Sequence, residues 1–282
     1  MSRVAFLGAG LIGSALAQAE RERGRDVIVW NRNPAKLLPL EAAGLAVTAS
    51  IAEAVKGAER VHLALSADDA VDAVLREFLQ LEMTEAIVVD HSTTSPPGTR
   101  ARAERMHHAG IKFFHAPLFM SPKACRDGVG CMVGAGPEDL HRELAPALQR
   151  MTTDYWYLGG EPDGAARMKL FGNAILIGIS GALADAYAVA KSGGMAPAQA
   201  FELFAHFDPG PSMKSRGGRM ALADFTTSFA LSMARKDVGL MIDAAEASKL
   251  AVLPGIAARM EALIADGEGD RDLAVLARES CG

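Results

Sequence analysis

The sequence predicts an α/β fold in which a doubly wound parallel sheet is followed by an all-helical domain. Three observations carry this. An apolar run, Val4-Ala5-Phe6-Leu7, leads straight into a glycine-rich turn and then a helical stretch. Strand-like and helix-like segments alternate through the first half of the chain, the pattern of a parallel sheet covered on both faces. From about Pro162 onward only helical patterns remain. A chain of 282 residues can bury two cores. The expected domains are residues 1–162 and 163–282.

Each element follows from its residues. Arg3–Leu7 is short and apolar, as a buried strand is. Leu11–Arg23 sets alanines and leucines at helical spacing. Asp26–Trp30 is the second strand. Further strands are expected at Arg60–Leu65, Ala86–Val89 and Lys112–His115, with Cys131–Val133 as a later addition to the sheet. Helices are expected near Ala35–Ala43, Asp69–Phe78 and Thr99–Ala109. In the second domain they are expected over Gly164–Ser192, Pro197–His206, Ser228–Ser248, Pro254–Asp266 and Leu273–Arg278. Gly193-Gly194 stops the first of these and Pro197 opens the next.

The turn Gly8-Ala9-Gly10-Leu11-Ile12-Gly13 lies between a strand and a helix, the context that a dinucleotide fingerprint requires. Gly8 permits the tight turn, Gly10 lets the backbone approach a pyrophosphate, and Gly13 lets helix and strand pack closely. The helix N-terminus offers free N–H groups to phosphate. The first domain is therefore expected to be of the Rossmann type. Asn31 follows 18 residues after Gly13 (31 − 13), where an NAD-selective fold carries an acid. Asn31 has no charge to repel a 2′-phosphate. Arg32 offers a planar, permanently charged guanidinium to bind one. NADP is the expected cofactor, with NAD as the alternative.

Two further groups carry chemistry. Lys169 and Asn173 are four residues apart and share a helix face. A lysine within the apolar stretch Met168–Leu176 is costly to bury unless it faces a cleft, and burial lowers its pKa toward the range useful for proton transfer. Asp90-His91-Ser92-Thr93 follows a strand, so its hydroxyls lie at the carboxyl end of the sheet, where ligands of open α/β sheets bind. The same segment can also cap the helix opening at Pro96-Pro97.

Composition excludes several classes. The net charge is −5, so there is no global basic surface and nucleic acid is not an expected partner. Cys125, Cys131 and Cys281 form no CxxC pair, and the histidines show no ligand spacing. No metal site or disulfide is expected, and a reducing cytoplasm is the expected compartment. The apolar start reads as a strand rather than a signal peptide. Leu170–Ala190 is long and apolar but contains Asn173, Asp185 and Tyr187. It is expected to be a helix buried between domains or subunits, not a membrane span, which implies at least a homodimer.

Four segments, in order, resemble the β-hydroxyacid dehydrogenase family, which includes 3-hydroxyisobutyrate dehydrogenase and the glyoxylate/succinic semialdehyde reductases and is similar in plan to the imine reductases. They are Phe6–Gly13, Asp90–Pro96, Gly164–Asn173 and Phe229–Asp237. The resemblance implies that Lys169 is the general acid/base and that Asn173 positions it and the substrate. It implies that Thr93 contacts the cofactor and Ser92 the substrate. It places Leu65-Ser66 in a loop over the cofactor and Phe229 and Lys236 in a cofactor lid. Where the family has Asp-Ala-Pro-Val-Ser-Gly-Gly, this chain has His115-Ala116-Pro117-Leu118-Phe119-Met120-Ser121. Phe119, Met120 and Ser121 thus stand where a substrate carboxylate is held. Gly172 replaces the first of the family's Asn-Asn pair. The implied activity is NADP-dependent hydride transfer between nicotinamide and a small carbonyl or hydroxy acid substrate. Imine reduction on the same fold and non-catalytic NADP binding are the alternatives.

Overall fold

The computed structural model describes residues 3–81, 85–246 and 248–281. The chain divides into two compact units, Met1–Asn173 and Ala174–Gly282. The first unit opens with β1 (Arg3–Leu7), α1 (Leu11–Glu22), β2 (Asp26–Trp30), α2 (Leu38–Ala42), β3 (Ala46–Thr48) and α3 (Ile51–Val55). It continues with β4 (Ala58–Leu63), α4 (Asp68–Phe78), β5 (Ile87–Asp90), α5 (Pro96–His108) and β6 (Phe113–His115). The six strands form one sheet in the order β3-β2-β1-β4-β5-β6, with every pairing parallel.

Both faces of this sheet are covered. Val4 and Phe6 enter one core with Ala15 and Leu16 of α1, whereas Ala5 and Leu7 enter the other with Val71 and Leu75 of α4. Side chains alternate along a strand, so a strand buried on both sides must be apolar throughout. That is why the run Val4–Leu7 carries no polar residue. The strand order reverses between β1 and β4, which opens a crevice at the carboxyl ends of these strands.

After β6 the chain departs from the expected sheet. β7 (Leu118–Phe119), α6 (Pro122–Asp127), β8 (Cys131–Gly134), α7 (Glu138–Met151) and β9 (Asp154–Tyr157) follow. Cys131–Val133 does not extend the main sheet: β8 centres a separate three-stranded sheet, antiparallel to β7 and parallel to β9. The pattern of a short strand cannot say which partner it joins. β3 has three residues, too few for a periodicity to show.

The second unit is helical among its described residues. The long helix α8 (Gly164–Ser192) leads from the first unit into it. Then come α9 (Pro197–Phe201), a 3₁₀ turn over Glu202–Ala205, α10 (Gly210–Ala221), α11 (Leu231–Ala244) and α12 (Leu253–Ala265). A second 3₁₀ turn, Leu273–Ala277, precedes α13 (Arg278–Cys281). Leu231, Ala234 and Val238 of α11 pack on Ala257, Met260 and Leu263 of α12. α10 carries Gly210, Gly217 and Gly218, which disfavour helix and hid it from sequence reading.

α8 is long and apolar enough to cross a membrane by length and composition. Its Asp185 has a different use. Asp185 is buried, and its carboxylate accepts the backbone N–H groups of Ala251 at 2.6 Å, Val252 at 2.9 Å and Leu253 at 2.8 Å. The Val252 and Leu253 N–H groups are orphan donors at the start of α12, so a residue of one helix caps another.

Candidate active site

The glycine turn is held by contacts that exclude side chains. Gly8 has φ +122, a region that favours glycine, and its N–H donates to Trp30 O at 2.9 Å. A Cβ on Gly13 would collide with Gly8 O. A Cβ on Gly10 would meet nothing within 4 Å, and Gly10 lines the cleft at the sheet's carboxyl edge. Backbone there is open to close approach by a ligand. Gly8, Leu11 and Ile12 line the same cleft, which has a volume of about 770 Å³.

Asn31 sits at the end of β2. Its Oδ1 accepts the Ala9 N–H at 3.0 Å and its Nδ2 donates to Asn33 O at 2.9 Å. Asn31 and Arg32 both line the cleft, and so does Lys36. Sequence reading missed Lys36. The 3₁₀ turn Pro34–Lys36, capped by the Asn33 side chain on Ala35 N, carries it there.

The loop after β5 is fixed by a set of buried polar residues. Ser92 N–H donates to Asp90 Oδ1 at 2.9 Å, and Ser92 Oγ accepts the Leu65 N–H at 3.0 Å. Asp68 accepts from Ser95 N at 3.0 Å, while Ser95 Oγ caps α5 at Gly98 N. The segment is therefore both a helix cap and a cleft wall: Ser92, exposed Thr93, Leu65 and Ser66 all line the cleft.

Three buried histidines lie behind this wall. His91 Nδ1 donates to Ala116 O at 2.7 Å, because a carbonyl can only accept. His91 Nε2 is then the acceptor for His62 Nδ1–H at 2.8 Å. His115 Nε2 donates to Ser92 O at 3.1 Å. Burial lowers the pKa of all three, and for His62 the drop is large, reinforced by His91 and Arg60. Neutral imidazoles thus pin the loop.

Lys169, on the first turns of α8, is only 9 % exposed and lines the same cleft as the glycine turn, Ser92, Thr93 and Met120. Its Nζ stands 4.2 Å from the centroid of the Phe119 ring. Burial lowers its pKa from the ordinary lysine value. Asn173 is half-buried one turn further on.

Comparison with known proteins places the chain in a family. Residues 3–159 match the family described as the NAD binding domain of 6-phosphogluconate dehydrogenase. Residues 164–279 match the NAD-binding family of NADP-dependent 3-hydroxyisobutyrate dehydrogenase. The chain belongs to the β-hydroxyacid dehydrogenase family of NAD(P)-dependent oxidoreductases. It is 28% identical to glyoxylate/succinic semialdehyde reductase 2 of Arabidopsis thaliana, over 86% of this chain and 69% of that protein. It is 25% identical to 3-hydroxyisobutyrate dehydrogenase of Pseudomonas aeruginosa, over 92% and 90%. Its fold is shared with an imine reductase from Myxococcus stipitatus in complex with NADP+, at TM-score 0.88 and 20% identity, covering 99% of both chains.

The segment that the resemblance assigns to the substrate, Phe119 to Ser121, is divided in the structure. Met120 lines the cleft, but Phe119 and Ser121 are not part of its lining. Ser121 caps α6, accepting from Ala124 N at 3.1 Å. Phe119 instead lies under Lys169. Phe229 and Lys236, which the resemblance assigns to a cofactor lid, belong to the second unit. There Phe229 N–H donates to buried Asp272 at 3.0 Å, and Lys236 pairs with Asp237 at 2.9 Å. Burial alone would raise the Asp272 carboxyl, but hydrogen bonds from Ser228, Ala274 and Phe229 hold it well below the usual carboxylate range.

Proposed function

We propose that this oxidoreductase is NADP-dependent and reduces a small aldehyde or ketone, or oxidises the corresponding alcohol, with Lys169 carrying the proton. The observation that carries this reading is a buried lysine sharing one cleft with the glycine turn and the Ser92-Thr93 wall. The residues fit a dinucleotide: Gly8 and Gly13 leave no room for side chains, Gly10 offers bare backbone, and the α1 N-terminus supplies N–H groups for a pyrophosphate. Arg32 and Lys36 are placed on the same cleft for a 2′-phosphate. When bound, the nicotinamide supplies or accepts the hydride.

The protein's own part is proton transfer and orientation. In reduction, the Lys169 ammonium donates to the carbonyl oxygen as negative charge develops there. In oxidation, the neutral amine takes the hydroxyl proton. Burial lowers its pKa, which eases release of the proton. Thr93 and Ser92 orient cofactor and substrate in this reading, and Asn173 positions Lys169. Phe229 and Lys236 are assigned as cofactor contacts. Met120 gives the substrate an apolar wall, which favours a compound with an apolar portion over a small, tightly held carboxylate.

A second reading, imine reduction, is favoured by that apolar wall, whereas Lys169 speaks for carbonyl chemistry. NADPH oxidation measured against semialdehydes, apolar ketones and cyclic imines tests both. The expected result is turnover of carbonyl compounds, weak on small aldehyde acids such as tartronate semialdehyde and stronger on apolar ketones. Turnover of imines alone would replace this reading with the second. Tight NADPH binding without turnover of any class would leave a non-catalytic binding protein.

A further inference from the structure

We infer that Phe119 is a positioning residue for Lys169, and that position 172 is glycine because the Phe119 ring occupies the space a side chain there would need. The inference rests on the reading of Lys169 as the proton carrier. The Lys169 ammonium lies 4.2 Å from the centroid of the ring, well inside the range of about 6 Å over which a cation is attracted to an aromatic face. A Cβ built on Gly172 would stand 2.5 Å from Phe119 Cζ and closer still to Cε1. Lys169 and Gly172 are three apart on α8 and share a face, so one ring serves both.

The ring itself is firmly set. Phe119 belongs to β7 and pairs with Cys131 of β8. It packs against the buried cluster of Val133, Ala135 and Ala165, with Met168 beside it. The two departures from the family's pattern, the aromatic at 119 and the glycine at 172, are therefore one packing event. Neither is readable without the other.

The arrangement decides how Lys169 is held. The titratable side chains sharing its cleft are Arg32, Lys36, Glu77 and His91. On its own helix Arg167 is paired with Asp163 at 2.7 Å, and β7 brings no charged residue. No carboxylate among the described residues lies within salt-bridge distance of Lys169, and burial is what depresses its pKa. The ring face opposes that depression, because its quadrupole favours the charged form. An aromatic restrains the ammonium without tying it into an ion pair, so the proton stays transferable.

The test is a direct spectroscopic one. The full-length protein is labelled with ε-¹³C lysine, Lys169 is assigned with Lys169→Arg, and its ε-methylene is titrated by NMR. The Lys169 ε-protons are expected upfield of the other lysines because of the ring current. In Phe119→Leu they should return to the ordinary position, and the Lys169 pKa should fall further, by about half a unit to one and a half units. Phe119→Tyr should restore both. Gly172→Ala should displace the ring and shift both readings in the same direction as Phe119→Leu, with little further effect when the two are combined. Ordinary ε-proton positions in the unmodified protein, an unchanged pKa in Phe119→Leu, or additive effects of the two substitutions would overturn the proposal. If Phe119→Leu does not fold, the unmodified spectrum and Gly172→Ala still decide. Full turnover by Lys169→Ala would instead defeat the proton-carrier reading while leaving the NMR result standing.

Discussion

Asn31 braces the glycine turn through Ala9: its side-chain oxygen accepts the Ala9 N–H at 3.0 Å across 22 residues of sequence. The amide is thereby committed to holding the turn's shape. Arg32 and Lys36, both on the cleft, are the cations on which the proposed NADP preference rests.

The first prediction follows from that division of labour. NADPH should bind more tightly than NADH, by about 1.5–3 kcal/mol or roughly ten- to a hundredfold, the worth of a charge-assisted contact. Arg32→Ala combined with Asn31→Asp should reverse the order. Aspartate keeps an acceptor for Ala9 N but repels a 2′-phosphate. Fluorescence titration with both nucleotides checks this, and equal affinities in the unmodified protein would reduce Arg32 to a surface residue.

The second concerns Lys169. Lys169→Ala should lower turnover by about a hundredfold to ten-thousandfold while leaving the NADPH dissociation constant nearly unchanged. With Lys169 as the proposed proton donor, kcat for reduction should fall with rising pH at a point below the ordinary lysine value of 10.5. A variant with near-normal kcat on the best substrate of the panel would remove Lys169 from the chemistry.

The third concerns the buried histidines. Burial depresses the pKa of His62, His91 and His115 below 6.5. Above about pH 6.5 they are neutral in both folded and unfolded chains, and their contribution is fully present. Below it the unfolded chain binds protons that the native one refuses, so stability is lost as pH falls toward the native pKa, by up to about 1.4 kcal/mol per pH unit per group. Melting temperatures should therefore decline from pH 6.5 to 5. His62→Gln, which keeps a donor for His91 but cannot titrate, should show a shallower decline. Parallel curves for the two proteins would mean that His62 does not contribute.

The fourth concerns assembly. On α8, Phe171 is 65 % exposed and Ile177 71 %, with Leu176 and Ile179 exposed beside them. Large apolar side chains exposed around a helix in this way mark an interface. At least a homodimer is expected by light scattering at micromolar concentration. Ile177→Asp should shift the population toward monomer. A monomeric unmodified protein would leave the exposed apolar side chains of this helix without a partner.

Much of the fold was written locally. The run Val4–Leu7, the glycines at 8, 10 and 13 and the repeated strand–helix alternation each specify their structure within a dozen residues, because strand period, turn conformation and helix capping depend on near neighbours. The same holds for the placement of Lys169 in an apolar helix. Other features needed the folded chain. Lys36 reaches the cleft because a 3₁₀ turn carries it there, and Asp185 caps α12 from 66 residues away. His62 meets His91 across 29 residues, since parallel pairing of β4 with β5 brings their carboxyl ends together. The Phe119 ring and the bare Gly172 explain one another only in space. Sequence patterns report which side of an element is buried. Which distant side chain fills the volume beside it is decided by tertiary packing, where a single methyl group can be too large.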